Sequence, residues 1–352
     1  MFAICGAVLA AAAVVPDFSS WQEYKATFHK VYASPSDEAT ARAHFVENRA
    51  KIAAHNALGL PYKQGLNQFS DRSRVAWRKR FRHDMSGRAN PAQKQLASSL
   101  GRDGHDCIES QAISAAHVAS LPASIDWVAA GNRVSPVMDQ GNCGACWAFS
   151  TVATIEGSLG MGGHDLEVLS PEDISACTRG QGNAGCNGGN DWVALPWIGV
   201  HGIASLADSP FVDGKSGVTS SCDAARKPAV NITSCHSIYD NLGSLQAAVA
   251  VQPVSGNIEV VDDLMEYKSG IYTGKGDGPG TEGPCDNTTS AGVNHAVTFV
   301  GYGTTSDGID YWLMKNSWGA QWGEKGFFRM LRGQNICGIE TYATTADGAH
   351  PI

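Results

Sequence analysis

The chain has 352 residues, 43% of them hydrophobic and 17% charged, which is ordinary for a globular protein and enough for one large or two medium domains. Its formal charge of −8 is unevenly placed: residues 121–352 carry 11 Lys and Arg against 24 Asp and Glu, a balance of −13, while residues 1–120 carry 15 against 10, a balance of +5. An acidic body repels phosphate, which argues against a nucleic-acid partner, and no segment reaches transmembrane length.

The N-terminus, MFAICGAVLAAAAVV, is an apolar run of the length of a signal-peptide core and too short to span a bilayer, so residues 1–16 read as a secretory signal that lacks the usual positive start. In an oxidising compartment the ten cysteines read mainly as bridges. Two sequons, at Asn231 and Asn287, are compatible with the same route.

Residues 17–60 have helical periodicity. Phe18, Trp21, Tyr24, Phe28 and Tyr32 recur at spacings of three and four, and Phe45, Ile52 and Asn56 continue the pattern before Gly59 and Pro61. The basic stretch from Asp71 to Asp84 reads as a solvated helix face or as an arm lying on its own acidic partner. Residues 85–120 have a linker composition. From Leu121 the texture changes: CWAFSTVATIEGSL predicts a helix, and AVTFVGYG, DYWLMKNSWG and KGFFRMLRG predict strands. The pattern implies a helical half, a sheet half and a cleft between them.

The chemistry concentrates in QGNCGACWAFS, Gln140 to Ser150, where Cys143 and Cys146 could be a redox pair, half a metal site, or two thiols with different tasks. A thiol becomes nucleophilic as a thiolate, and a helix N-terminus with a nearby histidine lowers its pKa. Cys146 opens the predicted helix, with Gly141 and Gly144 allowing the chain to turn into it. His295 begins an apolar strand, Asn316 offers an amide oxygen to orient an imidazole, and Trp318 can cover that hydrogen bond from water. Gln140 can donate to an oxyanion beside the backbone N–H of Cys146.

Together, QGNCGACWAFS, NHAV and KNSWG resemble the papain and cathepsin L family of cysteine peptidases, over nearly the whole chain. GLNQFSD (residues 65–71) is similar to the family's propeptide motif, as are Phe45, Asn48, Ile52 and Asn56. The family's arginine four residues before Phe45 is replaced by Ala41, with Arg42 one position late. LPASIDW resembles the mature N-terminus and implies processing near Ser120 to Pro122. The resemblance implies an α+β, papain-like two-domain fold behind a helical propeptide: propeptide 17–120, and a peptidase domain 121–352 with a mainly helical half (121–233) and an antiparallel, barrel-like sheet half (234–352). It implies bridges Cys143–Cys186, Cys177–Cys222 and Cys285–Cys337, leaving Cys146 free. Cys5 falls in the signal and Cys107 in the linker. Cys235 is left over, as a buried free thiol or in another pairing such as one with Cys222.

The resemblance assigns Cys146 as nucleophile, His295 as acid and base, Asn316 as orienter and Gln140 as oxyanion donor, in peptide-bond hydrolysis. Substrate contacts fall on Gly188, Gly189, Asp191, Asn257, Ala296, Trp318 and Tyr342. Tyr342 should shorten the pocket for the second residue upstream of the cut, and Asp191 should admit polar or basic side chains there. A second CxxC, an HExxH or a Cys/His set at zinc spacing is not found in the sequence, so no metal or cofactor is expected. A catalytically dead binding relative would lose nucleophile or base, and both are kept. Only CTRGQGNAGC spans Cys177 to Cys186, too short for an insertion closing the cleft, so an endopeptidase is expected. Expected partners are protein and peptide substrates, the chain's own propeptide and cystatin-like inhibitors, with no nucleic acid or membrane and a monomeric state. The expected location is a lysosome-like acidic compartment or the exterior. The +5 front on a −13 body predicts acid-triggered maturation.

Overall fold

The computed structural model describes residues 20–78, 107–274, 285 and 293–352. The expected signal, Cys5, Phe18, most of the linker and Asn287 lie outside the described residues.

The front of the chain is two helices rather than one run. Helix α1 (Trp21–Thr27) is capped by Ser20, whose hydroxyl accepts from the Glu23 N–H, and α2 (Pro35–Ala57) by Ser34, which accepts from the Asp37 N–H, with proline at the first helical position. Between them His29 takes a left-handed backbone, φ 49°, and ends α1. The helices close on each other through Trp21, Tyr24 and Phe45, whose rings lie 4.8–5.5 Å apart. Ala41 joins this cluster, buried, while Arg42 is exposed. A small side chain therefore serves the inner face where the family pattern has arginine.

A strand, β1 (Tyr62–Gln64), carries the front onto the body, followed by α3 (Arg74–Arg78). Beyond the undescribed stretch come β2 (Ile108–Glu109), α4 (Ala115–Ser120) and β3 (Ile125–Asp126). The helical half is built on α5 (Cys146–Met161), with α6 (Pro171–Cys177), α7 (Asp191–His201), β4 (Ile203–Ala204), α8 (Asp213–Ser216) and β5 (Pro228–Asn231). The sheet half holds β6 (Ser234–Tyr239), α9 (Leu242–Val251), β7 (Val254–Ile258), β8 (Tyr267–Tyr272), β9 (His295–Thr304), β10 (Asp310–Lys315), β11 (Phe327–Leu331) and β12 (Tyr342–Asp347). The last strand, β13 (His350–Pro351), returns to the helical half and pairs with β5.

Helix α5 is buried from Cys146 through Gly160, on every face, as expected of an apolar helix between two layers. Against it lies a large sheet in the order β1, β8, β11, β10, β9, β7, β12, β6, β2, with β3 paired to β9. The barrel-like expectation needs correction: among the described residues the sheet stays open. Its end strands are β1 and β2, of three and two residues, which leave little backbone for a closing ladder. Its inner face packs Phe299, Trp312, Met314, Phe328 and Met330 into one core.

The cysteines form four bridges among the described residues: Cys143–Cys186, Cys177–Cys222, Cys285–Cys337 and Cys107–Cys235. The last one corrects the free-thiol alternative for Cys235: the residue takes another pairing, with Cys107 and not with Cys222. Strand β2 lies parallel to β6, pairing Ile108 with His236, and this brings Cys107 to within 4.6 Å of Cys235, Cα to Cα.

Candidate active site

The site assembles where the N-terminus of α5 meets β9 and the end of β10. The entry into α5 is a tight turn in which Gly141 takes φ 59° against the Gly214 backbone; a Cβ there would lie 2.3 Å from the Gly214 carbonyl oxygen. The Cys143–Cys186 bridge ties this turn to the 185–189 loop, and the Gly144 N–H donates to the Cys186 carbonyl at 2.9 Å. That loop rests on the Trp147 ring, and a Cβ at Gly189 would meet it at 2.5 Å. Gly188 precedes it with φ 112°. These constraints hold Cys146 as the first residue of α5, buried and the one free cysteine among the described residues.

His295 opens β9, buried between α5 and the sheet. The backbone N–H of the next residue, Ala296, is among the groups that lower the Cys146 thiol against its burial, which brings the start of β9 to the N-terminus of α5. The Asn316 Oδ1 accepts from the Ser317 N–H at 2.8 Å and lies 2.8 Å from His295 Nε2. An oxygen already accepting from the backbone fixes the imidazole with its proton on Nε2. The Trp318 ring stacks on His295 at 4.8 Å and covers this bond. Gln140 is oriented from the same strand end: its Oε1 accepts from the Ser317 hydroxyl at 2.6 Å, while its Nε2 donates to the Cys143 carbonyl at 3.0 Å. Ser317 is a residue that the motif reading passed over, although it lies inside KNSWG.

Burial governs the charges here. It pushes the Cys146 thiol up to about 11, against three backbone N–H groups, and pulls His295 down to about 4, against the Asn316 hydrogen bond. In this covered state thiol and imidazole are both neutral. Passing the proton from sulfur to ring creates two adjacent opposite charges, and water entering the cleft lowers the cost of both.

The residues expected to line a specificity pocket separate into two groups. Tyr342 is buried, edge-on to Trp192 at 5.1 Å, and shares a small apolar cluster with Val293. Trp192 and Val293 were missed by sequence reasoning, although each lies one or two positions from an assigned residue. Asn257 pairs with Ala296 across β7 and β9, one position from His295. Asp191 is different. Its Oδ2 accepts from the Ser255 hydroxyl at 2.7 Å and the Thr344 hydroxyl at 2.6 Å, and its Oδ1 from the Trp192 N–H at 2.8 Å. The expectation that it admits basic side chains is therefore corrected: the carboxylate is 2% exposed and already holds α7 to β7 and β12.

Above the cleft sits the front domain. Asn67 donates to the Met265 carbonyl at 2.8 Å and Gln68 to that of Trp318 at 2.5 Å. The Tyr62 hydroxyl donates to Asp263 at 2.6 Å, and Phe69 and Trp77 pack edge-on to Trp318. The domain thus grips the tryptophan that stacks on His295.

Residues 121–346 match the model of the papain family cysteine proteases, and residues 21–75 that of the cathepsin propeptide inhibitor domain. The chain is 33% identical to mouse pro-cathepsin H over 93% of its length and 89% of the relative's, and 34% identical to Sarcophaga peregrina cathepsin L over 91% and 90%. It shares the fold of a digestive procathepsin L 3 from the Tenebrio molitor larval midgut (TM-score 0.75, 31% identity, 93% and 98% coverage) and of the recombinant stem bromelain precursor (TM-score 0.77, 28% identity, 93% and 97% coverage). The chain belongs to the papain family: it is a thiol protease, a hydrolase of peptide bonds, carrying its own propeptide inhibitor as a zymogen. Among the described residues no helix is long and apolar enough to cross a membrane.

Proposed function

We propose that the protein is a cysteine endopeptidase in which Cys146 attacks the scissile carbonyl, Gln140 Nε2 and the Cys146 N–H hold the oxyanion, and His295 protonates the leaving amine before activating water on the thioester. Asn316 and Trp318 keep the imidazole oriented. The observation that carries this reading is the 2.8 Å His295–Asn316 bond on a strand whose next N–H is among the groups that lower the Cys146 thiol. Labelling matured protein with a thiol-directed peptide-like inhibitor and mapping it by mass spectrometry tests it. Label on Cys146 with loss of peptidase activity is expected; label elsewhere with activity intact overturns it.

The pocket for the second residue upstream of the cut is floored by Tyr342 and flanked by Trp192, Val293, Asn257 and Ala296, with Gly188 and Gly189 offering backbone to the substrate. Its shortness and apolar lining favour medium aliphatic side chains. The enzyme acts as a monomer, accepts cystatin-like inhibitors at the cleft, and enters the secretory pathway through residues 1–16, with sugars on Asn231 and Asn287. It works in an acidic lysosome-like compartment or outside the cell.

Maturation removes the propeptide at low pH by cleavage near Ser120 to Pro122. Three groups of the propeptide support an acid trigger. His55 is buried in α2, its ring 4.5 Å from that of Tyr62. Burial holds its pKa below 6.5, against the pull of Asp263, while Lys63 and Arg74 add to the lowering. Glu38 and Glu47 are held below the ordinary carboxylate value by hydrogen bonds, first from Lys25 and Lys51 respectively.

A further inference from the structure

The fourth bridge joins a residue N-terminal to the expected processing site to the body of the enzyme. Cys107 lies between the two matched regions, 21–75 and 121–346, and Cys235 lies in β6 of the peptidase domain, buried. We propose that residues 107–120 are not lost with the propeptide: the Cys107–Cys235 disulfide retains them as a covalently held segment of the mature enzyme. This rests on the reading that the propeptide is removed by cleavage upstream of Leu121.

The segment runs along the body from Cys107 to Leu121. Ile108 and Glu109 pair with His236 and Ser237 of β6, the Ser110 N–H donates to the Ser237 carbonyl at 2.8 Å, and the Ser244 hydroxyl donates to the Gln111 carbonyl at 3.3 Å. Helix α4 then lies on α9, with Val118 against Gly243. This non-covalent grip is thin: β2 has two residues, Ile108 is 56% exposed and α4 buries no side chain. A peptide so held, once cut free, diffuses away, because a short helix and a two-residue strand are marginal alone. The disulfide changes that outcome by keeping the segment at high local concentration. Hydrolysis breaks a peptide bond with water and leaves the sulfur–sulfur bond untouched. A cut between 107 and 121 gives a light chain linked to the peptidase; a cut upstream of 107 leaves the segment in line. Either way it covers the β6 edge, which would otherwise present unpaired backbone groups.

The test is to mature the full precursor, record activity, block free thiols with iodoacetamide and compare intact masses with and without reduction, followed by peptide mapping. The expected result is active protein containing the linked Cys107–Cys235 peptides, with residues 107–120 either in line or released only by reductant. Active protein that lacks Cys107, with Cys235 alkylated, overturns the proposal. A Cys107→Ser precursor cut upstream of Leu121 is expected to lose the segment on gel filtration while keeping its activity. If it retains the cut segment, the disulfide is not what holds it. Inhibitor labelling of Cys146 in the same samples reads the peptidase assignment separately, since it depends on neither Cys107 nor Cys235.

Discussion

Arg74 of the propeptide lies 3.3 Å from Glu266 of the body, and both side chains are buried. The pair is the point where the basic front meets the acidic body, yet it does not make the contact acid-labile. Burial pushes the Glu266 carboxyl up to about 7, against the pull of Arg74. A carboxyl raised above its ordinary 4.5 binds its proton more tightly in the folded precursor than in the unfolded chain, so its contribution is complete below 4.5 and is lost as pH rises through about 7. Glu266→Gln is therefore expected not to speed maturation at neutral pH. Faster neutral maturation, followed by gel electrophoresis, would show that the pair acts as an acid-labile clasp.

The proposed acid trigger falls instead on groups whose pKa is lowered. His55 is buried neutral, so its contribution is present above pH 6.5 and is lost as pH falls below that value, where the unfolded propeptide binds the proton. Glu38 and Glu47 add a second loss below pH 4.5. His55→Phe keeps a ring against Tyr62 and removes the titration. It should flatten the rise in maturation rate just below pH 6.5 and leave the steeper rise at lower pH; an unchanged pH profile excludes His55.

The Ser317 hydroxyl fixes the Gln140 amide, and this gives a graded pair of variants. Gln140→Ala should lower kcat by about 10²–10³-fold with little change in KM, as loss of one oxyanion donor does. Ser317→Ala keeps the amide and frees its rotation, so a smaller fall in kcat is expected. A rise in KM at constant kcat in either variant would assign Gln140 to ground-state binding.

Asp191 makes opposite predictions for specificity and stability. Substrates with Arg at the second upstream position should gain nothing over Leu, and Asp191→Leu should leave that ratio unchanged. The same change strands the Ser255 and Thr344 hydroxyls, each loss of a bond to a charged acceptor costing about 1.5–3 kcal/mol, and the melting temperature should fall. A selective loss of Arg cleavage in Asp191→Leu would restore the basic-pocket reading.

The proposed pocket is floored by Tyr342. Tyr342→Ala should raise kcat/KM for Phe relative to Leu by about tenfold or more, on the scale of a methylene or two in an apolar pocket. An unchanged ratio would show that the tyrosine ring does not face substrate.

The amino-acid order alone determined the helix from Cys146 and the strands from His295, Asp310 and Phe327, because these depend on short-range periodicity. Tertiary structure decided the rest. Whether Asp191 faces substrate or the core depended on Ser255 and Thr344, far along the chain, and a buried carboxylate goes where hydroxyl donors meet it. Whether Cys235 stayed a thiol depended on a parallel strand that brings Cys107 across 128 residues of sequence. Cysteine spacing cannot reveal such a pairing, because a disulfide reads distance in space and not along the chain.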